Sequence, residues 1–238
     1  MKKIVETSLV IKKETKFDKI RDALFNLFFH KEYEMMQRLD ELLKIKRVEP
    51  NKIIIPKEIK KDVYKRQPLY KEIIEEVDIN NLILMGDSAG GGMALALAER
   101  MGEENIQMPN KTILISPWLD VRLQNPEIDE VQKRDKELSK ETLKLAGVAY
   151  AGEDGIDSYL VNPIDGNLSK LKNITILTGT NDILNPDVHV LQEKAKQIGV
   201  NIEIKEYESA GHIWIINNNS SEELVQKGYN DLINLVNE

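Results

Sequence analysis

One segment of the sequence carries residue types that can do covalent chemistry. In Leu82-Ile83-Leu84-Met85-Gly86-Asp87-Ser88-Ala89-Gly90-Gly91-Gly92, a serine stands between two glycines, after an apolar run and before a glycine- and alanine-rich stretch. A serine at the sharp corner between a buried strand and a helix can act as a nucleophile toward a carbonyl carbon. Side chains two positions away on either side would collide at such a corner, so glycine suits positions 86 and 90. The helix that follows points its free N–H groups and its positive dipole end at the same place. The Ala89 N–H is the first candidate donor for an oxyanion.

A serine hydroxyl also needs a base, and the base needs an acid to orient it. Parallel sheets place functional residues just past the carboxyl ends of their strands. Two later apolar runs are followed by such residues. Ile174-Thr175-Ile176-Leu177 leads into Thr178-Gly179-Thr180-Asn181-Asp182, and Ile202-Glu203-Ile204 leads into Tyr207-Glu208-Ser209-Ala210-Gly211-His212. The candidate set is therefore Ser88 as nucleophile, Asp182 as orienting acid and His212 as base. Asp187 follows Pro186 and reads as a helix N-cap. His189 reads as a surface histidine on that helix, and His30 as a structural residue among Phe28, Phe29 and Tyr33.

The elements that must position these residues alternate. Pro68 opens a helix to about Val77, Leu82–Met85 is a strand buried on both faces, and Ala94–Arg100 is helix. Thr112–Ile115 is a second strand, a helix lies near 139–149, and Ile174–Leu177 is a third strand. Residues 187–198 form a helix with Val188, Leu191, Ala195 and Ile198 on one face and Gly199 as its stop. Ile202–Ile204 is a fourth strand, and Ser220 with Glu223 opens the last helix in capping-box spacing. Strand–helix alternation predicts an α/β fold, a parallel sheet with helices on both faces.

The bulk composition limits the alternatives. Of 238 residues, 41% are apolar and 31% charged, enough for a core, and there is no cysteine. A thiol nucleophile and a thiolate metal site are excluded, and three histidines without clustered carboxylates predict no metal. The expectation is a cytoplasmic protein with no signal peptide, no stable membrane insertion and, at a net charge of −7, no nucleic-acid partner.

The motifs resemble those of the hormone-sensitive-lipase-like group of serine esterases, the α/β-hydrolase fold-3 family. Gly86-Asp87-Ser88-Ala89-Gly90-Gly91 is similar to its nucleophile motif and Ile115-Ser116-Pro117-Trp118-Leu119-Asp120 to its next strand end. Thr178–Leu184 and Gly211-His212 resemble its acid and histidine loops, so the resemblance covers residues 68–238. It implies the three-layer α/β-hydrolase fold and hydrolysis of small carboxylic esters with short or medium acyl chains, without a cofactor. An amidase or peptidase on the same residues is the second reading, and a non-catalytic hydrolase-fold module the third. The resemblance also implies that N-terminal helices cap the site. Residues 17–45, with apolar positions at three- and four-residue spacing, suit that role.

The first 67 residues depart from this pattern. They hold 18 Lys+Arg against 11 Asp+Glu, although the whole chain is acidic. All 13 glycines lie at or after Gly86, so the family's His-Gly-Gly-Gly loop, which supplies further oxyanion donors, has no counterpart upstream. Residues 46–81 offer one weak strand, Ile53–Ile55, where the fold normally places four. Early strands are therefore expected to be missing, leaving Leu82–Met85 as a bare apolar edge prone to aggregation. The chain then divides into a helical, cap-like segment at 1–67 and a catalytic domain at 68–238. Asp62-Val63-Tyr64-Lys65-Arg66-Gln67 can be encoded by GAT GTG TAT AAG AGA CAG, a string that matches a transposon end used to prepare sequencing libraries. It is read as an artefactual junction between gene parts, with an exposed basic linker as the alternative. Resequencing the locus is expected to break within codons 62–67; an uninterrupted genomic read through them removes the junction.

Overall fold

A computed structural model describes residues 3–6, 9–10, 67, 70–71, 73–75, 78–151, 155–216 and 220–237. The expected helix at 17–45, strand at 53–55 and most of the junction at 62–67 lie outside these. The described strands are β1 (Lys3–Glu6), β2 (Leu9–Val10), β3 (Leu82–Asp87), β4 (Lys111–Ile115), β5 (Ile174–Gly179) and β6 (Ile202–Tyr207). The α-helices described over their full length are α1 (Ser88–Glu103), α2 (Ile128–Val131), α3 (Lys140–Ala151), α4 (Asn185–Gln197) and α5 (Glu222–Asn237), and the described residues within 67–75 are helical as well. The sheet runs β2-β1-β3-β4-β5-β6. Its pairs are parallel throughout β1-β3-β4-β5-β6, and β2 alone is antiparallel.

Alternation along the strands explains why the apolar runs are continuous. Successive side chains point to opposite faces, so a strand covered on both sides needs apolar residues at every position. Leu82, Leu84, Leu114, Ile174, Ile176 and Ile202 face one core, together with Leu95, Leu97 and Met101 of α1 and Val188, Leu191 and Ala195 of α4. Ile83, Ile113, Ile115 and Leu177 face the other, with Trp214, Ile215 and Leu235 of the C-terminal segment. Leu82 and Leu84 are fully buried.

Several expectations are corrected here. Lys3–Glu6 lies parallel beside β3, pairing Lys3 with Leu82 and Glu6 with Met85, so Leu82–Met85 is no bare edge. The argument for aggregation that rested on that edge loses its ground. The expectation missed β1 because a four-residue strand next to lysines carries almost no periodic signal. Ile198 falls just past the end of α4 and is 55% exposed, not on its buried face. The cap of α5 is Ser221, whose Oγ accepts the Leu224 N–H, rather than Ser220.

The packing that matters most for the site is between α1 and the segment after β4. A Cβ on Gly92 would lie 2.1 Å from the Trp118 carbonyl oxygen, and one on Gly91 2.8 Å from Pro117 Cβ. Backbone cannot yield as a flexible side chain does, so neither site has room for a methyl group. Gly92→Ala is expected to destabilise the protein by about 2–3 kcal/mol, read as a lower midpoint in urea unfolding.

Candidate active site

The corner at Ser88 is built by its surroundings. β3 ends at Asp87, α1 begins at Ser88, and Ser88 sits at φ 50°, in the left-handed region. A non-glycine residue held there costs on the order of 1–3 kcal/mol, so neighbours must fix it. The Ser88 carbonyl accepts the Trp118 N–H at 2.8 Å, tying the corner to the same segment that presses on Gly91 and Gly92. The sequence reading placed the steric need at Gly86 and Gly90. It missed Gly91 and Gly92, although three consecutive glycines were the signal.

Ser88, Asp182 and His212 are brought together. His212 Nε2 lies 3.0 Å from Ser88 Oγ, and His212 Nδ1 lies 2.9 Å from Asp182 Oδ2. Asp182 is fully buried and His212 is 9% exposed. The other oxygen of Asp182 accepts the Leu184 N–H at 2.9 Å, which fixes the rotamer of the carboxylate. With Nδ1 donating to a carboxylate, Nε2 is left as an acceptor for the serine proton.

The acid and histidine loops are laced to each other. Thr180 N–H donates to the Tyr207 carbonyl and Asn181 N–H to the Ala210 carbonyl. Ser209 N–H donates to Thr180 Oγ1, and the Asn181 side-chain amide donates to the Ser209 carbonyl. A Cβ on Gly179 would stand 2.3 Å from the Ala210 oxygen, so the two loops touch through bare backbone.

Ser116 was quoted in the sequence only as part of a motif, yet it holds the loop that carries His212. Its buried Oγ accepts the Ile213 N–H at 3.1 Å, one residue beyond His212. Ser116 and Ile213 are both left-handed, at φ 45° and 47°. For a β-branched residue this is a true outlier. Strain at 88, 116 and 213 thus gathers around one site, and hydrogen bonds link its members across the sheet.

The electrostatics favour a charged imidazole. Burial drives the His212 pKa down, but the charge and hydrogen bond of Asp182, with the charges of Asp135 and Asp87, outweigh it and leave it raised. Asp87 is itself raised by burial, with His212 opposing.

The other candidates fall elsewhere. His189 is half-exposed and pairs with Glu206 at 2.7 Å, as a surface histidine would. Asp187 is not the N-cap of α4, which starts at Asn185; it lies in the first turn, buried, and accepts from Asn125 at 3.1 Å. Burial raises its pKa to about 6. Among the described residues, no group of three or more His, Cys, Asp or Glu could hold a metal ion, and no helix is long and apolar enough to cross a membrane.

Residues 60–216 match the family model for the alpha/beta hydrolase fold. An esterase of Acinetobacter venetianus is 33% identical over 137 residues, which is 57% of this chain and 45% of that protein. An acetyl-hydrolase of Streptomyces hygroscopicus is 26% identical over 148 residues, 61% of this chain and 49% of that protein. The chain thus spans about half the length of these curated relatives. The structure of a hormone-sensitive lipase from a metagenome library aligns at TM-score 0.68 and 23% identity, over 74% of this chain and 59% of that one. At that identity the likeness shows the fold.

The buried carboxyl of Asp187, outside that site, gives the stability of the fold a measurable pH signature. Its folded pKa lies above the unfolded one, so stability is fully present below the unfolded value and is lost as pH rises to about 6. The loss is on the order of 3 kcal/mol. Asp187→Asn removes the charge and retains an oxygen for Asn125. The variant is expected to match wild type near pH 4 and to unfold at higher urea than wild type at pH 7.

Proposed function

The chain belongs to the α/β-hydrolase fold-3 family, and from that premise we propose that it hydrolyses small carboxylic esters of short or medium acyl chain through Ser88. The observation that carries this reading is the unbroken line from Ser88 Oγ through His212 to Asp182.

His212 Nε2 takes the Ser88 proton as Oγ attacks the ester carbonyl. Asp182 holds Nδ1–H in place and stabilises the imidazolium that forms. The oxyanion lies at the N-terminus of α1, where the Ala89 N–H and the helix dipole meet it. Collapse of the tetrahedral species expels the alcohol, which takes the proton from Nε2–H and leaves an acyl ester on Ser88. Water then gives a proton to His212 as it attacks, and the carboxylic acid departs with Ser88 restored. These steps use protein groups alone. The substrate partner is a small-molecule ester, and the proposed setting is the cytoplasm. A cap-like role for residues 17–45 and a junction at 62–67 belong to the same proposal, whereas residues 3–6 and 9–10 are strands of the sheet that carries Ser88.

A second reading is favoured by one observation: residues 1–85 hold no glycine, so the glycine loop that would complete the oxyanion hole has no counterpart among them. A hole lacking one donor loses on the order of 10²–10³ in rate. The chain as written is then a slow esterase or, at the limit, a non-catalytic module. Amide hydrolysis, which needs a better-stabilised oxyanion, is less favoured.

A fluorophosphonate probe is expected to label wild type and not Ser88→Ala; labelling that survives the substitution defeats the proposal. On p-nitrophenyl acetate, Asp182→Asn is expected to lower kcat about 10⁴-fold by releasing the tautomer. Because the base works only when neutral and its pKa is raised, the rate is expected to climb with pH through a midpoint above the ordinary histidine value of about 6.5. A midpoint below that value contradicts the assignment of His212.

A further inference from the structure

We propose that Asp135, in the turn between α2 and α3, is a positioning residue: its carboxylate ties down the loop that carries Asp182 and adds a second negative charge that acts on His212. This rests on the reading of Ser88, His212 and Asp182 as the reacting set. Asp135 Oδ2 accepts the Ile183 N–H at 2.9 Å. Its Oδ1 accepts the N–H groups of Glu137 and Leu138 at 2.8 and 2.9 Å. One carboxylate thus joins the acid loop to its own turn. Consecutive N–H groups, those of Ile183 and Leu184, go to two different carboxylates, Asp135 and Asp182.

The neighbouring residue completes the grip. Arg134 Nε donates to Asn181 Oδ1 at 3.1 Å, and its guanidinium also reaches the Thr180 carbonyl. Residues 134 and 135 therefore hold the loop at 180, 181 and 183, on both sides of Asp182. The turn itself is braced by Gln132, which accepts from the Lys140 N–H and donates to the Leu138 carbonyl. The three N–H bonds to the Asp135 carboxylate have an ionised acceptor, and bonds of that kind are about twice as strong as neutral ones.

The carboxylates that act on His212 come from three places: Asp182 from the loop after β5, Asp87 from the end of β3, and Asp135 from the α2–α3 turn, which also sets the Glu137 carboxylate against Gly211. Asp182 bonds the ring directly. Asp135 raises the His212 pKa through space, behind the charge and hydrogen bond of Asp182 and against the opposing effect of burial. Its position is thus suited to keep the imidazolium stable during acyl transfer without contacting substrate.

The test is a pH titration of the His212 ring by NMR in the full chain, with its signal assigned by its loss in His212→Asn. Asp135→Asn keeps the shape and one accepting oxygen but drops the charge, and its ring midpoint is expected to move to lower pH. Asp135→Glu keeps the charge and is expected to titrate near wild type. Asp135→Ala is expected to shift downward as well and to label with fluorophosphonate roughly tenfold more slowly on the pH plateau. The inference is overturned if the midpoint stays put in Asp135→Asn, or if Glu137→Gln moves it as far. Labelling that persists in Ser88→Ala sinks the functional reading alone, since the ring titration still decides the role of Asp135.

Discussion

A left-handed backbone at a residue with a side chain persists only where the fold leaves it no other choice. At Ser88 that choice is removed by the segment after β4. Its Trp118 N–H binds the Ser88 carbonyl, and its backbone packs where side chains on Gly91 and Gly92 would stand. The hydroxyl is aimed because α1 and the β4 end are pressed together without intervening side chains. Loosen that contact and the serine can relax toward an ordinary helical start, out of reach of a base.

The strand order creates the next problem. His212 follows β6, and two strands, β4 and β5, separate β6 from β3. Parallel strands bring all four carboxyl ends to one side of the sheet, but the histidine must still reach back across it. The chain does this in two steps. The loop after β6 first fastens to the loop after β5 through Thr180, Asn181 and the contact at Gly179. It then turns sharply at Ile213, whose N–H is caught by Ser116 at the end of β4. Each strand end passed on the way supplies one anchor. The strain at Ile213 is the cost of the reach, and the buried Ser116 hydroxyl helps hold it.

Burial around the imidazole works against the charge that acyl transfer would place on it. Several carboxylates offset that penalty, one bonded to the ring and others near it. The wider polar interior follows a different logic at Asp187, where burial wins and the carboxyl is pushed toward neutrality. Asp187 has one amide partner, Asn125, whereas Asp182, five residues earlier, bonds the His212 ring.

Much of this was legible in the sequence because it depends on local residue type and order. A strand covered on both faces must be apolar at every position, which makes β3, β4 and β5 visible as short uninterrupted runs. A corner needs glycine, which makes the serine visible. Chain order then placed Asp182 and His212 after the correct strands. The sequence by itself determined which side chains could do chemistry and which elements carry them, because those depend on local residue type and periodicity. Tertiary structure alone decided that Lys3–Glu6 would pair with β3, that Ser116 and Asp135 would hold the loops carrying His212 and Asp182, and that Asp187 would be buried rather than cap a helix. Each of these depends on a partner distant in sequence, and a hydrogen bond across the sheet leaves no mark on the spacing of the residues it joins.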